Sequence, residues 1–398
     1  MINAYLRPDG RKGIRNTIVV AYLVECAHHV SREIVFAYRE QGVHLIGFPG
    51  CFPNVYSHRM MERLCTHPNV GAALLVSLGC EGFNKGKLQE TIRKSGRPVK
   101  LIEIQGTGGT RKTIAEGKAW IEQTLKQLED TPRKPMSVDE LIVGTICGGS
   151  DATSGLTANP AMGRAFDFLV EQDATCIFEE TGELIGMEHW MAKRAENPQL
   201  GEEIVKTVAK AANYYAAYGH ASIGPGNADG GLTTIEEKSL GAYAKSGQSV
   251  ISGIIKPGDV PIRGGLYLLD VVPDGEPRFG FPNISDNAEI AELIACGSHV
   301  ILFSTGRGSV VGSAISPVIK VCANPHTYKR MSDDMDVDAG RILEGRATLD
   351  EVGREIYDLI MRVSNGEQTK SEDLGHQEFI LTYKTFEPIG PACFPSAA

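Results

Sequence analysis

The feature that most constrains the fold is a series of short, continuous apolar runs in the N-terminal third of the chain. These runs cover residues 14–24, 43–50, 70–82 and 98–106, and patterns typical of helices lie between them. Strands that are apolar on both faces and alternate with helices are characteristic of parallel sheets covered on both sides. The sequence therefore predicts an α/β fold with mainly parallel sheets.

A second alternation of the same kind starts at "ELIVGTICGG", from residue 140. Helical patterns at 161–172 and 184–218 lie on either side of a strand pattern at 174–180, and a further strand and turn follow at 300–309. Repeated alternation after a break predicts two α/β units.

The break between the two units is short. A helix predicted at 110–129 closes the first unit, and the following residues, 129–137, are charged and contain two prolines, which is typical of a linker. We place an N-terminal α/β domain at residues 1–133. A C-terminal α/β catalytic domain, at residues 138–398, carries the CGGSD and STGRGS motifs.

Composition narrows the classes of partner and compartment. The formal net charge is −9 without long blocks of like charge, so a nucleic acid is not an expected partner. No apolar run reaches the ~18 residues of a membrane span, and the N-terminus carries charges where a signal peptide is apolar. We expect a cytoplasmic protein, in which the nine cysteines are thiols or metal ligands rather than disulfides.

Three cysteines occupy a position typical of ligand-binding residues. Cys51, Cys80 and Cys147 each follow a predicted strand and stand beside a glycine, and parallel α/β sheets bind ligands at the carboxyl ends of their strands. Thiolates favour zinc or iron–sulfur clusters over magnesium. The alternative role of any cysteine is that of a small buried hydrophobe. We assign that alternative to Cys65, Cys176, Cys296, Cys322 and Cys393, and Cys26 lies between the two groups.

Other polar motifs allow two interpretations each. Arg307 stands between glycines in "STGRGS", which suits bidentate binding of a substrate carboxylate but also a surface turn. Glu183, Glu188 and His189 are candidates for acid, base or metal ligand, or for a solvated helix start. The segment "GPGNADGG", residues 224–231, either presents amides to an anion or forms a plain turn.

Together these motifs resemble the altronate/galactarate dehydratase family, a group of sugar-acid dehydratases. The opening "YLRPDGRKGIRN" and the blocks "LGCE" and "CGGSDATSGLTANPAMG" are similar to family motifs. The stretches "ETGELIGMEH", "PGNADGGLTTIEEKSLGA", "FSTGRGS", "DVDAG" and "SNGEQTKSE" follow in the family's order. Two positions depart from the pattern, since Phe48 replaces the usual histidine and Ala228 the usual lysine.

The resemblance implies a hydro-lyase that removes water from an aldonic or aldaric acid, such as altronate or galactarate, and gives a 2-keto-3-deoxy acid. It implies Fe²⁺ as the cofactor, with Mn²⁺ as an alternative, and the thiolates themselves leave an iron–sulfur cluster open. Relatives carry an extra N-terminal domain of about one hundred residues, an ordinary domain size. The resemblance therefore implies a separate small subunit as a partner, as well as assembly into a homo-oligomer.

The site residues follow from the resemblance and from the strand-end positions. We expect Cys51, Cys80 and Cys147 to hold the metal and Arg307 to bind the substrate carboxylate, with Thr305 as a further substrate-binding residue. Ser150, Asn159 and Asp151 are expected at the sugar hydroxyls, with Asp151 also a catalytic candidate. The general base is expected to be His189 or Lys238.

Two other functions remain open at this level. One is a related lyase such as sulfolactate sulfo-lyase, although the resemblance implies that such relatives tend to lack the cysteines found here at 51 and 80. The other is a non-catalytic protein that binds a sugar acid in the same pocket. Dehydration is preferred, because several ionisable residues follow strands and binding alone requires fewer.

Overall fold

The computed structural model describes residues 1–217, 225–274 and 285–384. Some sequence features lie outside the described residues. They are residue 224, residue 218 at the end of the helical pattern at 184–218, and Cys393 with the rest of residues 385–398. Within those that are described, the chain forms helices and three sheets, two of which are entirely parallel. The predicted α/β class with mainly parallel sheets is confirmed.

The strands of the described residues are numbered along the chain. They are β1 (Ile2–Leu6), β2 (Lys12–Gly13), β3 (Thr17–Tyr22), β4 (Val43–Gly47), β5 (Val70–Ser77), β6 (Val99–Glu103), β7 (Arg133–Met136), β8 (Ile142–Cys147), β9 (Thr175–Phe178), β10 (Ile251–Ile255), β11 (Gly265–Leu269), β12 (Val300–Thr305), β13 (Val318–Cys322) and β14 (Val337–Asp338).

The α-helices are numbered in the same way. They are α1 (His28–Phe36), α2 (Val55–Cys65), α3 (Lys85–Lys94), α4 (Ile104–Thr107), α5 (Thr110–Glu129), α6 (Ala158–Val170), α7 (Glu188–Lys193), α8 (Pro198–Ala217), α9 (Pro225–Asp229), α10 (Ile235–Ala244), α11 (Asp286–Ala295), α12 (Pro325–Arg330), α13 (Leu349–Ser364) and α14 (Lys370–Asp373). Short 3₁₀ helices occur at Glu25–Ala27, Arg39–Gln41, Val138–Glu140, Thr181–Leu184 and Gly340–Ile342.

The first unit contains a four-stranded parallel sheet in the order β4-β3-β5-β6. Strand β5 is buried along its whole length, as expected for an apolar run covered on both faces. Helices connect the strands, because parallel neighbours need a crossover. The strands are shorter than the apolar runs that predicted them. Loops begin at the carboxyl ends of β3, β4 and β5, whereas α4 directly follows β6.

The second unit contains a seven-stranded parallel sheet in the order β10-β11-β9-β8-β12-β13-β14. From β8 the chain continues to β9 on one side, whereas from β12 it continues to β13 on the other. The connections thus leave in opposite directions between β8 and β12, which is where α/β sheets open a ligand crevice at the carboxyl ends. Cys147 is the last residue of β8 and so lies at that crevice.

The expected linker at 129–137 contains a strand instead of irregular chain. Strand β7 pairs antiparallel with β1, and β2 pairs with β1 on its other side. Because β7 is an edge strand of this small sheet, Pro135 costs no interior ladder hydrogen bond. The start of the chain is thereby fastened to the point where the first unit ends, and the domain limits at 133 and 138 stay a prediction.

The two parallel sheets share a hydrophobic core. One cluster of buried side chains includes Val19 and Leu75 of the smaller sheet and Ile146 and Phe303 of the larger one. Polar contacts at the same junction are buried too, since the side-chain amide of Asn69 donates to the carbonyl oxygen of His299 at 3.1 Å. In the described part of the chain, no helix has both the length and the apolar character that crossing a membrane requires.

Candidate functional site

Cys147 is the centre of a buried group of polar side chains at the carboxyl end of β8. Its Sγ lies 3.1 Å from Glu180 Oε1 and 3.2 Å from Glu183 Oε2. Glu180 follows β9, the strand next to β8, and Glu183 lies in the 3₁₀ helix that comes after it. The ligand atoms of these three residues lie within 4.8 Å of one another. Adjacent parallel strands thus bring one thiol and two carboxylates to one point.

The backbone of Glu180 is unusual, and it directs the carboxylate to this point. Glu180 has φ +74° and ψ +50°, the left-handed conformation that costs a residue with a side chain about 1–2 kcal/mol. The carboxylate gains contacts in return, because Oε2 accepts a hydrogen bond from the backbone N–H of Cys147 at 3.1 Å. Strained backbone of this kind is concentrated at functional sites.

Two lysines complete the charge balance of the group. Lys238 Nζ lies 2.8 Å from Glu183 Oε2 and donates hydrogen bonds to Cys147 Sγ at 3.1 Å and Ser150 Oγ at 2.9 Å. Lys245, which is fully buried, forms an ion pair with Glu180. Burial alone would lower the pKa of Lys238, but Cys147 and Glu183 together raise it above its ordinary value. Lys238 is therefore held as an ammonium group.

A second layer of buried acids lies behind this group. Burial is the largest cause that raises the pKa of Glu179, and Glu289 raises it further. Neither carboxylate oxygen of Glu179 has a hydrogen-bond partner among the described residues, so the neutral form is favoured. Burial, followed by Glu183, raises the pKa of Asp286 to about 6. Glu292 is paired instead, with Lys384 Nζ at 2.8 Å.

The loop after Cys147 is tied to its neighbours by backbone contacts. The N–H groups of Gly306 and Arg307 both donate to the carbonyl oxygen of Gly149, at 3.0 and 2.9 Å. The backbone N–H of Ser150 donates to Asn227 Oδ1 at 3.1 Å, so α9 packs on this loop. The described part of "GPGNADGG" thus lies next to the CGGSD loop and supports it.

The other expected site residues fall into two groups. Ser150 lies in the Cys147 group, and Arg307 is exposed with its guanidinium donating to the carbonyl oxygen of Gly226. Asp151 and Asn159 are buried, and their side chains are engaged with protein partners. The carboxylate of Asp151 accepts hydrogen bonds from Thr153 and from the side-chain amide of Asn324. The side chain of Asn159 donates to the carbonyl oxygen of Gly241 and accepts from the hydroxyl of Ser304. Thr305 Oγ1 donates to the carbonyl oxygen of Gly149 and accepts from the N–H of Gly308.

His189 and Lys238, the two candidates for the base, are placed very differently. His189 lies on α7 with its side chain exposed. Lys238 is buried and contacts Cys147, Ser150 and Glu183. The two positions that depart from the family pattern supply no cation here, since Phe48 is buried beside the ring of Tyr383 and Ala228 is an exposed residue of α9.

Cys51 and Cys80 lie outside the closely spaced group around Cys147. Both are exposed and follow β4 and β5 of the smaller sheet. The close group of possible ligand atoms in the described residues joins Cys147 with Glu180 and Glu183, and a role of Cys51 and Cys80 in metal binding stays a prediction. The cysteines assigned to the core are buried as expected at positions 65, 176, 296 and 322, whereas Cys26 is exposed and Cys393 lies outside the described residues.

The side chains around Cys147 fit a divalent metal ion. A thiolate combined with two carboxylates suits an ion of intermediate softness, whereas an iron–sulfur cluster normally takes several thiolates. Glu179 adds a buried acid without a hydrogen-bond partner among the described residues. The thiol and the two carboxylates thus form a group that an added positive charge would stabilise.

Sequence reasoning did not assign roles to several residues of this site. Glu183 was a candidate for acid, base or metal ligand, but Lys245, Asp286 and Glu289 carried no recognisable signal. Lys245 is identified only by its complete burial against Glu180. A lysine in a helical segment is ordinarily solvated, so the distant carboxylate that it meets is visible only in the fold.

Two family models match the chain. The model described as "D-galactarate/Altronate dehydratase, C-terminal" matches residues 138–386. The model described as "D-galactarate dehydratase/Altronate hydrolase, second domain" matches residues 4–129. Together they include the strands of both parallel sheets and all residues of the Cys147 group.

Individual relatives are similar over most of the chain. It is 34% identical over 391 residues to the (2R)-sulfolactate sulfo-lyase subunit beta of Chromohalobacter salexigens, covering 95% of this chain and 96% of that protein. It is 28% identical over 396 residues to the altronate dehydratase of Escherichia coli, covering 96% and 77%. The galactarate dehydratase (L-threo-forming) of Escherichia coli is 32% identical over 325 residues, covering 79% and 60%.

Proposed function

This chain belongs to the D-galactarate/altronate dehydratase family, and we propose that it is a lyase that removes water from a sugar acid to give a 2-keto-3-deoxy acid. One observation carries this proposal. Cys147, Glu180 and Glu183 meet at a buried strand end, and Lys238 and Ser150 contact the same thiol. The group combines ligands for a Lewis acid with a proton-carrying side chain, which elimination of water requires.

We assign Cys147, Glu180 and Glu183 as the residues that hold a divalent ion, with Fe²⁺ as the proposed metal and Mn²⁺ as the alternative. The ion supplies Lewis acidity at the substrate oxygens. The sequence of bond changes starts with the proton on the carbon beside the carboxylate. As that proton is taken, the neighbouring carbon loses hydroxide, and the enol that remains becomes the 2-keto-3-deoxy acid after tautomerisation.

Lys238 is the general acid in this proposal, since its ammonium group can give a proton to the departing hydroxide. Glu183, whose Oε2 lies 2.8 Å from Lys238 Nζ, takes the proton from carbon and returns it to the lysine, so both side chains are restored. Lys238 Nζ contacts the thiol and one carboxylate of the ligand set, whereas His189 is exposed on α7. Lys245 has a positioning role, since its ion pair holds Glu180. The left-handed backbone of Glu180 then keeps the carboxylate aimed at the thiol.

Arg307 is the proposed contact for the substrate carboxylate, because a guanidinium can bind both carboxylate oxygens. It is exposed, and its backbone is fixed beside Gly149 of the CGGSD loop. Asp151, Asn159 and Thr305 act on substrate indirectly, since their side chains bind the loops that carry Ser150 and Arg307.

A second function is favoured by one specific similarity. The sulfolactate sulfo-lyase subunit beta matches this chain with 34% identity and nearly complete coverage on both sides. Loss of sulfite from a 2-hydroxy-3-sulfo acid also begins with removal of the proton beside the carboxylate, and only the leaving group differs. The same residues would serve both eliminations, so the substrate decides between them.

The experiment is an anaerobic screen of the purified chain supplied with Fe²⁺. Aldonates, aldarates and sulfolactate are offered separately, and 2-keto acid and sulfite are both measured. We expect 2-keto-3-deoxy acid from one sugar acid, without sulfite, and loss of this product in Glu183→Gln. Sulfite release from sulfolactate alone identifies the second function. Ligand-induced thermal stabilisation without either product contradicts both and indicates a binding protein.

We also propose a small partner subunit. The name of one relative describes a subunit of a larger enzyme, and the altronate dehydratases are longer than the matched region. A tagged chain purified from its native host should bring down a small second protein in constant ratio. The screen is then repeated with that complex, and purification of the chain without such a protein contradicts the proposal.

A further inference from the structure

Three cysteines stand in one row across the smaller parallel sheet. Tyr22 of the central strand β3 is in register with Gly47 of β4 and with Val76 of β5. Cys26, Cys51 and Cys80 each lie four residues beyond one member of this row. Since neighbouring strands are about 4.8 Å apart, the three loops that carry these cysteines start side by side at the same edge of the sheet.

The loops that carry these cysteines come together beyond the strands. The N–H of Glu25, next to Cys26, donates to the carbonyl oxygen of Pro49 at 3.0 Å. The N–H of Gly82 donates to the carbonyl oxygen of Cys51 at 2.8 Å. The second bond joins the loops that follow β4 and β5, the two strands on either side of β3. The three cysteines therefore belong to one connected patch.

This patch is fixed in place by its own polar contacts. Glu81, the residue after Cys80, accepts a hydrogen bond from the backbone N–H of Gly79 at 2.8 Å, and it also accepts one from Ser77. On the other side, Asn54 caps helix α2 and its side-chain amide donates to the carbonyl oxygen of Lys384 at 2.6 Å. The loops of Cys80 and Cys51 are thus held before any ligand arrives.

Exposure separates these thiols from the structural cysteines. Cys26, Cys51 and Cys80 are exposed, whereas the cysteines at 65, 147, 176, 296 and 322 are buried. A buried cysteine contributes to packing, but an exposed thiol contributes little and is open to oxidation. Three exposed thiols in one row therefore indicate a ligand-binding role.

Within the described residues, the three thiols do not form a group as close as the one at Cys147, so they suit a ligand larger than one ion better than a single ion. Single-ion thiolate sites need four close ligands, usually in two short sequence pairs. A cluster of several irons spans a wider set of thiolates, and cysteine is its usual ligand.

We propose that Cys26, Cys51 and Cys80 hold an iron–sulfur cluster of the four-iron kind at the carboxyl edge of the four-stranded sheet. Such clusters usually take four cysteines, so three leave one iron without a protein thiolate. The cluster is a second metal site, separate from the ion assigned to Cys147, Glu180 and Glu183. It does not depend on the proposed reaction, because neither its ligands nor its detection involve a substrate.

The patch also adjoins the acids behind the Cys147 group. Helix α2 begins soon after Cys51, and its Tyr56 hydroxyl donates to Glu292 Oε1 at 2.5 Å. The helix that follows the Cys51 loop therefore contacts one of the acids behind the Cys147 group.

The test measures iron and acid-labile sulfide in the full chain after anaerobic reconstitution with ferrous iron and sulfide. We expect equal amounts of both, and a paramagnetic signal after reduction. Cys26→Ser, Cys51→Ser and Cys80→Ser should each lower the sulfide content severalfold, with thermal unfolding recorded to show that the variants are folded. Cys147→Ala is the matched control and should keep its labile sulfide.

Three results overturn the proposal. They are a reconstituted chain without labile sulfide, retention of full sulfide content in the three serine variants, and loss of sulfide in Cys147→Ala. The first two mean that the row binds no cluster, and the third means that Cys147 is one of its ligands. A chain that contains labile sulfide but forms no product contradicts the proposed function alone, so the two failures are distinguishable.

Discussion

The two parallel sheets of this chain both end in cysteines, yet the surroundings of these thiols are opposite. Cys147, on the seven-stranded sheet, is buried against two carboxylates and an ammonium group. Cys51 and Cys80, on the four-stranded sheet, are exposed. Buried charges must be paired, so the first edge is a balanced set of acids and bases. The second edge presents its thiols to solvent.

This difference shows that the position of a residue at a strand end predicts a ligand site but not its chemistry. Both edges obey the rule that ligands of parallel sheets bind at the carboxyl ends. The two edges differ in burial. Desolvation shifts the pKa values of the side chains at the first edge, whereas the thiols at the second edge stay in contact with solvent. Acid–base work is therefore expected at Cys147 only.

The largest expected effect is that of Lys238→Met on turnover. Removing a general acid–base residue lowers kcat by roughly 10²–10⁴-fold, and Lys238 contacts three members of the site. His189→Gln is the control and should keep activity near that of the wild type, since His189 is exposed. A large loss in His189→Gln combined with little change in Lys238→Met would reverse the assignment.

A second test compares the stability of lysine ion pairs at the two edges. Lys384 and Glu292 are fully buried, so Lys384→Met leaves an unpaired buried carboxylate and should cost about 3–5 kcal/mol of unfolding free energy. Lys85 pairs with Glu103 in a partly exposed position, and Lys85→Met should cost less than about 1 kcal/mol. Denaturant unfolding measures both, and equal losses contradict the contrast in burial.

A smaller effect on the unfolding free energy is expected when the pH is lowered, and it comes from His299 at the junction between the two sheets. His299 is neutral in the fold, because its Nδ1 accepts from the N–H of Ile142 and burial lowers its pKa to about 4. Below pH about 6.5 the unfolded chain binds a proton that the folded chain does not, so stability falls until pH reaches about 4. The loss attributable to His299 is about 3 kcal/mol.

His299→Gln provides the comparison for this pH dependence. The variant has no group that titrates at this position, so its unfolding free energy should fall less between pH 6.5 and 4 than that of the wild type. Urea unfolding at several pH values gives both curves. Parallel curves for the two proteins would show that His299 does not carry the effect.

The sequence predicts the first sheet well because its signal is local. The apolar runs at 43–50 and 70–82 contain β4 and β5, and the helix expected at 110–129 is α5. The segment 129–137 was misjudged, because Pro135 and its charged neighbours look like a linker and the strand exists only through its pairing with β1. Pairing with the start of the chain leaves no local pattern.

The site could be predicted only in part for a similar reason. Cys147 and Ser150 were identified from the strand end and the glycines that follow. Lys245 was not, since its burial depends on Glu180, which comes from another element. The side chains of Asp151 and Asn159 were expected at substrate, but hydrogen bonds to neighbouring loops engage them. Local sequence does not reveal which polar groups the fold itself satisfies.

The most direct test of the account is turnover by Cys147→Ala with iron supplied under anaerobic conditions. Cys322→Ala is the matched control, since Cys322 is also a buried cysteine at the end of a strand of the same sheet. We predict that Cys147→Ala loses at least roughly a hundredfold in activity, because even indirect changes at a metal site cost 10–100-fold, while Cys322→Ala stays active. Full activity in Cys147→Ala would contradict the assignment of this thiol to the reaction centre.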